Sequence, residues 1–417
     1  MLELFKKAVQ RNEEMRKPLS SVPWTPDEPY PQPYYVFDSA KQDWEPVQAP
    51  TPTPTPTTTA AAEEEDDDSS SNGPTTITRL ALYSWNIDFM LPHARARMEA
   101  ALAHLESLVR PHFDSPPSPS PSSPHTGVVI FLQECVESDL ATIGAAPWVR
   151  ARFAVTDRSA AHWGSGHYGT TTLVDRRLLL PLASPCFRVH YAQTRMERDA
   201  LFVDVLVHSS SRRSSERDED DGEEKRGGGS APHPNRRRLV RLCNTHLESL
   251  AGEPPLRPAQ MRLVAAYLRG ERGPPGVDAA LPPRPHAGLA AGDFNAIQDF
   301  DRALHSDNGL RDAYLELGGR EDINDNENEG EGQGQGGSYT WGQQAATELR
   351  RAYGCSRMDK VFLCGAAARA RARRFARFGR DVQLADPAQR ADLVALGFEK
   401  PWVTDHLGVV AEVEIVD

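Results

Sequence analysis

From Thr76 to the carboxyl end the chain returns again and again to short apolar runs, each close in length to a single strand. They read ITRLALYSWNI, GVVIFLQE, TTLVD, ALFVDVLV, RLVRLCNTHL, AGLAAGDFN, RMDKVFL and GVVAEVEIV. Rich in β-branched and aromatic residues and bounded by turn formers, such runs are strands. Helical periodicity falls between them at His93–Val109, Pro258–Arg269 and Arg390–Leu396. Many strands and few helices can bury their apolar faces only in layers. The expected fold class is α/β, a four-layer α/β sandwich of two packed mixed β-sheets flanked by helices.

Four low-complexity stretches interrupt this order near 115–124, 209–235, 272–285 and 321–337. They read as surface-loop insertions, because lengthening a loop adds little closure entropy. No boundary is visible inside 76–417, which is taken as one catalytic-sized domain. Residues 1–75 are Pro/Thr-rich and acidic, ending in TPTPTPTTT and the run Glu63–Asp68. They are expected to be a largely disordered arm, preceded by a short charged helix at 2–17. The aromatics Trp24, Tyr30, Tyr34, Tyr35, Phe37 and Trp44 leave open a second reading, an arm packed on the core.

The formal charge of −12 at first argues against a nucleic-acid partner. Two runs, Glu63–Asp68 and Glu321–Glu331, hold twelve acidic residues between them, so the remainder is close to neutral. The five cysteines, Cys135, Cys186, Cys243, Cys355 and Cys364, form no CxxC pair, which speaks against a zinc site and a disulfide framework. The amino terminus lacks a secretory pattern, and no segment approaches the roughly 20 apolar residues that span a bilayer. An intracellular protein of nucleus or cytoplasm, off the membrane and monomeric, is the expectation.

Polar side chains cluster where the apolar runs stop: Asn86, Glu134, His246, Asp293 with Asn295, and Asp405–His406. Adjacent strands bring such ends to one sheet edge, where a site is usually carried. Carboxylates, amides and two histidines, without a nucleophilic serine or cysteine elbow, suit metal-assisted attack of water on a phosphate ester.

The ordered series SWNID, LQE, THLES, GDFN, SRMDKVF and TDHLG resembles the endonuclease/exonuclease/phosphatase superfamily, and within it the tyrosyl-DNA phosphodiesterase type-two subgroup. The likeness covers roughly 76–417 outside the insertions and implies a DNase I-like fold. It implies Mg²⁺ as cofactor, with Mn²⁺ as substitute, held chiefly by Glu134 and assisted by Asn86 and Asp405. Asp293 would orient and deprotonate water, Asn295 would contact phosphate, and His246 and His406 would stabilise phosphoryl charge. Asp405 would hold His406, Ser249 would touch phosphate, and Asp359 would support the site from behind. Arg198 would face nucleic acid, and Trp341 would offer a stacking surface near the groove. The subgroup's ubiquitin-binding amino-terminal domain has no counterpart here.

The implied function is hydrolysis of a 5′-phosphotyrosyl protein–DNA linkage, a DNA-repair activity whose substrate is DNA with a 5′ adduct. Phenol ionises near pKa ~10, so phenolate leaves without a strong general acid. Two other readings stay open on the sequence: another nuclease or lipid/sugar phosphatase of the same fold, and a non-catalytic binding module on it. The segment RARARRFARFGR (369–380) adds a further expectation, arginines along one strand face as a phosphate track.

Overall fold

The structure, a computed structural model, describes residues 2–47, 76–114, 125–179, 186–210, 237–274, 284–321, 338–365 and 369–417. Its first strands are β1 (Pro29–Pro31), β2 (Tyr34–Asp38), β3 (Asp43–Val47), β4 (Ile77–Asn86) and β5 (His125–Cys135). The middle of the chain forms β6 (Phe153–Val155), β7 (Gly169–Asp175), β8 (Cys186–His190), β9 (Asp199–His208) and β10 (Arg237–His246). It closes with β11 (Ala287–Asp293), β12 (Arg311–Asp312), β13 (Asp359–Cys364), β14 (Ala370–Phe378) and β15 (Gly408–Ile415).

One sheet runs β1-β8-β9-β10-β11-β13-β12, the other β14-β15-β4-β5-β7-β6-β2-β3. Each contains one parallel pair, β10 with β11 and β4 with β5, among antiparallel neighbours. Helix Ala94–Val109 lies on the chain between β4 and β5, and helix Arg257–Leu268 between β10 and β11. These two crossover units aim four strand carboxyl ends at the same rim, the usual site of ligands in α/β sheets.

Strand β4 explains the layering. Leu80 and Leu82 enter the core between the sheets with Val129, Phe131, Val203, Val205, Leu242 and Leu289. Their neighbours Ala81, Tyr83 and Trp85 face the other way, onto Met98, Leu102 and Leu105 of helix Ala94–Val109. A strand covered on both faces is apolar at nearly every position, as this one is. On the opposite side Phe202 and Cys243 pack under Met261, Val264 and Leu268 of the second crossover helix. The order helix, sheet, sheet, helix is the four-layer sandwich expected from the sequence.

Over residues 2–47 the amino-terminal segment follows the second of the two readings its sequence leaves open, an arm packed on the core. Strand β1 pairs with β8, and β2 pairs with β6, so the segment joins both sheets. Trp24, Tyr34, Phe37 and Trp44 are buried, and their apolar area offsets the entropy of ordering the chain. The TPTPTPTTT run and Glu63–Asp68 lie outside the described residues, as do nearly all of the four expected insertions.

Strand β14 does not present a free row of arginines. A bulge between Ala372 and Arg374 breaks the alternation, Arg373 pairs with Glu414, and Arg374 pairs with Glu412 at 3.1 Å. Among the described residues no helix is long and apolar enough to cross a membrane.

Candidate active site

Asn86 and Asp293 end β4 and β11, strands of opposite sheets, and meet directly: Asn86 Nδ2 donates to Asp293 Oδ2 at 3.0 Å. Below them Gln133 Nε2 donates to Asn244 Oδ1 at 2.8 Å, and Asn244 Nδ2 donates to Thr171 O at 2.9 Å. This buried amide relay joins the sheets under the rim.

Local backbone sets the carboxylates. The β5 ladder is irregular between Leu132 and Cys135, and Glu134 within it takes a left-handed φ of 58°. A bulge of this kind re-aims a side chain at a strand end. Glu134 Oε2 accepts the Phe89 N–H at 3.1 Å, while Oε1 lies 3.9 Å from Arg198 and 3.8 Å from His246. Asp293 follows Gly292, whose φ is 151°; a Cβ there would stand 1.7 Å from the Thr245 carbonyl oxygen. Only glycine lets β11 pass β10 this closely.

Two histidines flank Asp293. His246 Nε2 lies 3.3 Å and His406 Nε2 3.7 Å from the same Oδ2. Arg198 Nη1 stands 2.5 Å from His246 Nδ1. Guanidinium only donates, so Nδ1 accepts and the imidazole proton sits on Nε2, facing Asp293. Burial first, then the charge of Arg198, lowers the His246 pKa, and the ring is neutral at physiological pH. His406 is the opposite case. Burial would lower its pKa, but Asp359, Asp293 and Asp405 together raise it well above the ordinary value, so it is an imidazolium. Burial would raise Asp293, and the N–H of His246 with the charge of His406 outweighs it and holds the carboxyl below its ordinary range.

The residue holding His406 is Asp359, whose Oδ2 is 2.8 Å from Nδ1. Asp405 was expected in that place, but its Oδ1 is 3.8 Å from Nε2, and its Oδ2 accepts the indole N–H of Trp341 at 2.7 Å. The antiparallel register Asp293↔Asp359 of β11 and β13 accounts for this. Trp341 is half-buried beside Asp405. Arg198 is only 5% exposed and lies inside the site, donating to Ser249 Oγ at 3.0 Å. Asn295 Nδ2 donates to Leu247 O at 3.0 Å, and its backbone N–H donates to Asp293 Oδ1 at 2.8 Å.

Four residues outside the expected set complete the rim. Asp88 is buried, and burial together with the charge of Asp405 pushes its pKa up to about 7. Beneath it the fully buried Arg97 donates to the carbonyls of Ile87, Asp88, Leu91, Pro92 and Val403. Tyr168 stacks on Phe89 at 4.2 Å and lies 5.2 Å from the Arg198 guanidinium. Asp88 was legible as the last letter of SWNID; Arg97, Tyr168 and Phe89 carry no comparable signal.

Glu134, Asp88 and Asp405 are hard oxygen donors near one another, and burial first, then neighbouring carboxylates, raises Asp88 and Asp405. Such a set fits Mg²⁺, which takes one or two carboxylates and keeps its waters, better than zinc. Among the described residues no three His, Cys, Asp or Glu side chains enclose a single ion position.

The sequence matches the Endonuclease/Exonuclease/phosphatase family over residues 83–406, and this chain belongs to that family, whose members are phosphate-ester hydrolases. Among solved structures it is similar to D. rerio TDP2 humanized by 14 mutations, at 18% identity, with 81% of this chain and 99% of that chain covered and a TM-score of 0.48. It is also similar to the human Nocturnin catalytic domain with bound sulfate, at 14% identity, 82% and 96% coverage and a TM-score of 0.43. A family protein from Bacteroides thetaiotaomicron follows at 12% identity, 82% and 96% coverage and a TM-score of 0.43. No curated protein sequence matches the chain.

Proposed function

We propose that this chain is a divalent-cation-dependent phosphodiesterase that hydrolyses a 5′-phosphotyrosyl linkage on DNA and leaves a 5′-phosphate. One observation carries the leaving-group choice: both imidazoles turn Nε2 toward the same Asp293 oxygen. Both are thereby committed to the phosphoryl centre, and neither stands apart as an acid for a departing alkoxide. A phenolate, with its pKa of about 10, needs no such acid. Sugar or inositol alkoxides, being more basic, depend more heavily on an acid or on the cation to leave.

Glu134, with Asp88 and Asp405 nearby, would hold the cation, whose part is to neutralise phosphate charge and acidify water. The protein's own residues do the rest. Asp293, kept ionised, aligns the attacking water by accepting its hydrogen bond. Held below its ordinary range, the carboxyl stays ionised at neutral pH, the state that can align water and accept its proton. Imidazolium His406 and the Nε2–H of His246 donate to the phosphoryl oxygens as charge builds. Asn86 and Asn295 supply amides beside the water and phosphate, and Ser249 sits beside them on Arg198.

The test is a panel with Mg²⁺: a 5′-tyrosyl oligonucleotide, an abasic duplex and inositol phosphates. The expected result is free tyrosine with 5′-phosphorylated DNA and little turnover elsewhere. Turnover of abasic DNA or inositol phosphate alone rejects the tyrosyl reading, and retention of full activity by Glu134→Ala rejects the site.

A further inference from the structure

We infer that residues 15–32 of the amino-terminal segment form a clasp that positions Arg198, and through it the His246 proton, for the hydrolysis proposed above, on which this inference rests. Arg198 is one link of a short stretch, and the segment grips both of its neighbours. On one side Glu197 forms an ion pair with Arg16, Oε1 to Nε at 2.8 Å. Glu197 has a φ of 51°, a left-handed conformation that a non-glycine residue keeps only where its surroundings hold it.

On the other side Asp199 lies in a buried network. Arg188 Nη1 is 2.8 Å from each Asp199 oxygen, and Arg188 Nη2 is 3.0 Å from Asp157. The last donor of that guanidinium, Nε, goes to Gln32 Oε1 at 3.1 Å, and Gln32 Nε2 donates to Thr156 O at 2.9 Å. Gln32 is thus the piece of the segment that completes the network behind Asp199.

The aromatic support of Arg198 is gripped as well. Lys17 Nζ donates to Trp163 O at 3.2 Å, at the start of the loop Trp163–Tyr168. Within that loop Gly166 runs against the Met15 backbone, where a Cβ would stand 2.9 Å from the Met15 carbonyl oxygen. The loop ends in Tyr168, whose hydroxyl donates to Met196 O at 2.6 Å and whose ring faces the Arg198 guanidinium. Trp24 stacks on His190 at 3.9 Å, and Asp27 N–H donates to His190 O at 2.7 Å, fixing the chain just before the 191–198 turn. Arg198 is also held by Ser249, His246 and Glu134, and its backbone N–H by Thr194 Oγ1, but its two chain neighbours and its aromatic support are gripped by this segment.

The Arg16–Glu197 pair is exposed on the Arg16 side and weak by itself, whereas the Gln32 contacts are buried. Arg16 and Gln32 are therefore positioning residues, and the test compares them in two backgrounds. Rates are taken on bis(4-nitrophenyl) phosphate with Mg²⁺, an aryl diester that does not depend on the tyrosyl-DNA assignment. Gln32→Met and Arg16→Glu are expected to lower kcat roughly 10-fold or more with KM nearly unchanged, as small misplacements of catalytic groups do. On an Arg198→Ala background the same changes should add almost nothing. Glu197→Arg should restore the Arg16→Glu variant.

A readout independent of turnover is the ¹⁵N spectrum of histidine-labelled protein. His246 should show a single Nε2–H tautomer in the parent and a mixture in Gln32→Met. Equal losses in both backgrounds, or an unchanged His246 spectrum in Gln32→Met, overturns the clasp. Cleavage of the aryl diester without cleavage of tyrosyl DNA overturns the substrate assignment and leaves the clasp standing.

Discussion

Arg198 and His246 share one hydrogen bond of 2.5 Å, and its direction decides the protonation of the site. Because the guanidinium occupies Nδ1, the imidazole has a single proton to offer, and that proton faces Asp293. Arg198→Ala should cost roughly 100-fold or more in kcat, in line with loss of one transition-state donor. Steady-state kinetics on the tyrosyl oligonucleotide, with circular dichroism to confirm folding, checks this. A change in KM alone would mean that Arg198 only binds substrate.

Asp359 performs the matching task for His406. Asp359→Asn keeps a hydrogen-bond acceptor at Nδ1 and removes the charge that favours the imidazolium. The expected loss in kcat is about 100-fold, with the melting temperature near that of the parent. Asp405→Asn should leave the His406 ring oriented, since Asp359 holds it; crystal structures of both variants distinguish the two.

Chelation of divalent cations should abolish turnover, and Mg²⁺ or Mn²⁺ should restore it. Glu134→Gln should require a far higher Mg²⁺ concentration or fail altogether. Titrating activity against Mg²⁺ in parent and variant measures the shift, and identical curves would remove Glu134 from the cation site.

Acid stability turns in part on His190. Its ring is buried without a hydrogen-bond partner on either nitrogen, and burial, then Arg188 and Lys17, holds its pKa well below the ordinary 6.5. The folded state keeps it neutral while the unfolded chain takes up a proton. Its contribution is therefore complete above about pH 6.5 and is lost as pH falls from there toward the folded value, by up to about 1.4 kcal/mol per pH unit. Urea unfolding at pH 7.5 and 5.5 should show a smaller difference in His190→Gln than in the parent.

Arg97 is a structural cation under the rim. Arg97→Met leaves the carbonyls of Ile87, Asp88, Leu91, Pro92 and Val403 without their donor. Each buried orphan costs about 1–3 kcal/mol, so a loss of at least about 3 kcal/mol is expected from thermal or urea unfolding.

The parts of the site that were legible are those where a polar residue closes an apolar run. Asn86, Glu134, His246 and Asp293 had to lie at strand ends, and the two βαβ crossovers bring those ends together. What escaped reading depends on pairing between distant segments. The choice of Asp359 over Asp405 as partner of His406 follows from strand register, which no local pattern reports. The family resemblance implies that Arg198 faces nucleic acid; no local pattern reports that Tyr168 and Ser249 flank it. The prolines and threonines of the amino-terminal segment favoured a loose arm while its aromatics left a packed one open, and Trp24, Tyr34, Phe37 and Trp44 are core.

Those prolines have a consequence of their own. The outermost strands are β1 and β12 in one sheet and β3 and β14 in the other. Strand β1 is Pro-Tyr-Pro, β3 contains Pro46, β12 is two residues long, and β14 bristles with arginine. Missing N–H groups, brevity and charge are the devices that stop a sheet from recruiting a stranger's strand. Composition that resembles disorder is, in β1 and β3, insulation against aggregation, and a chain trimmed of its first 47 residues would bare β8 and β6 as fresh, sticky seams.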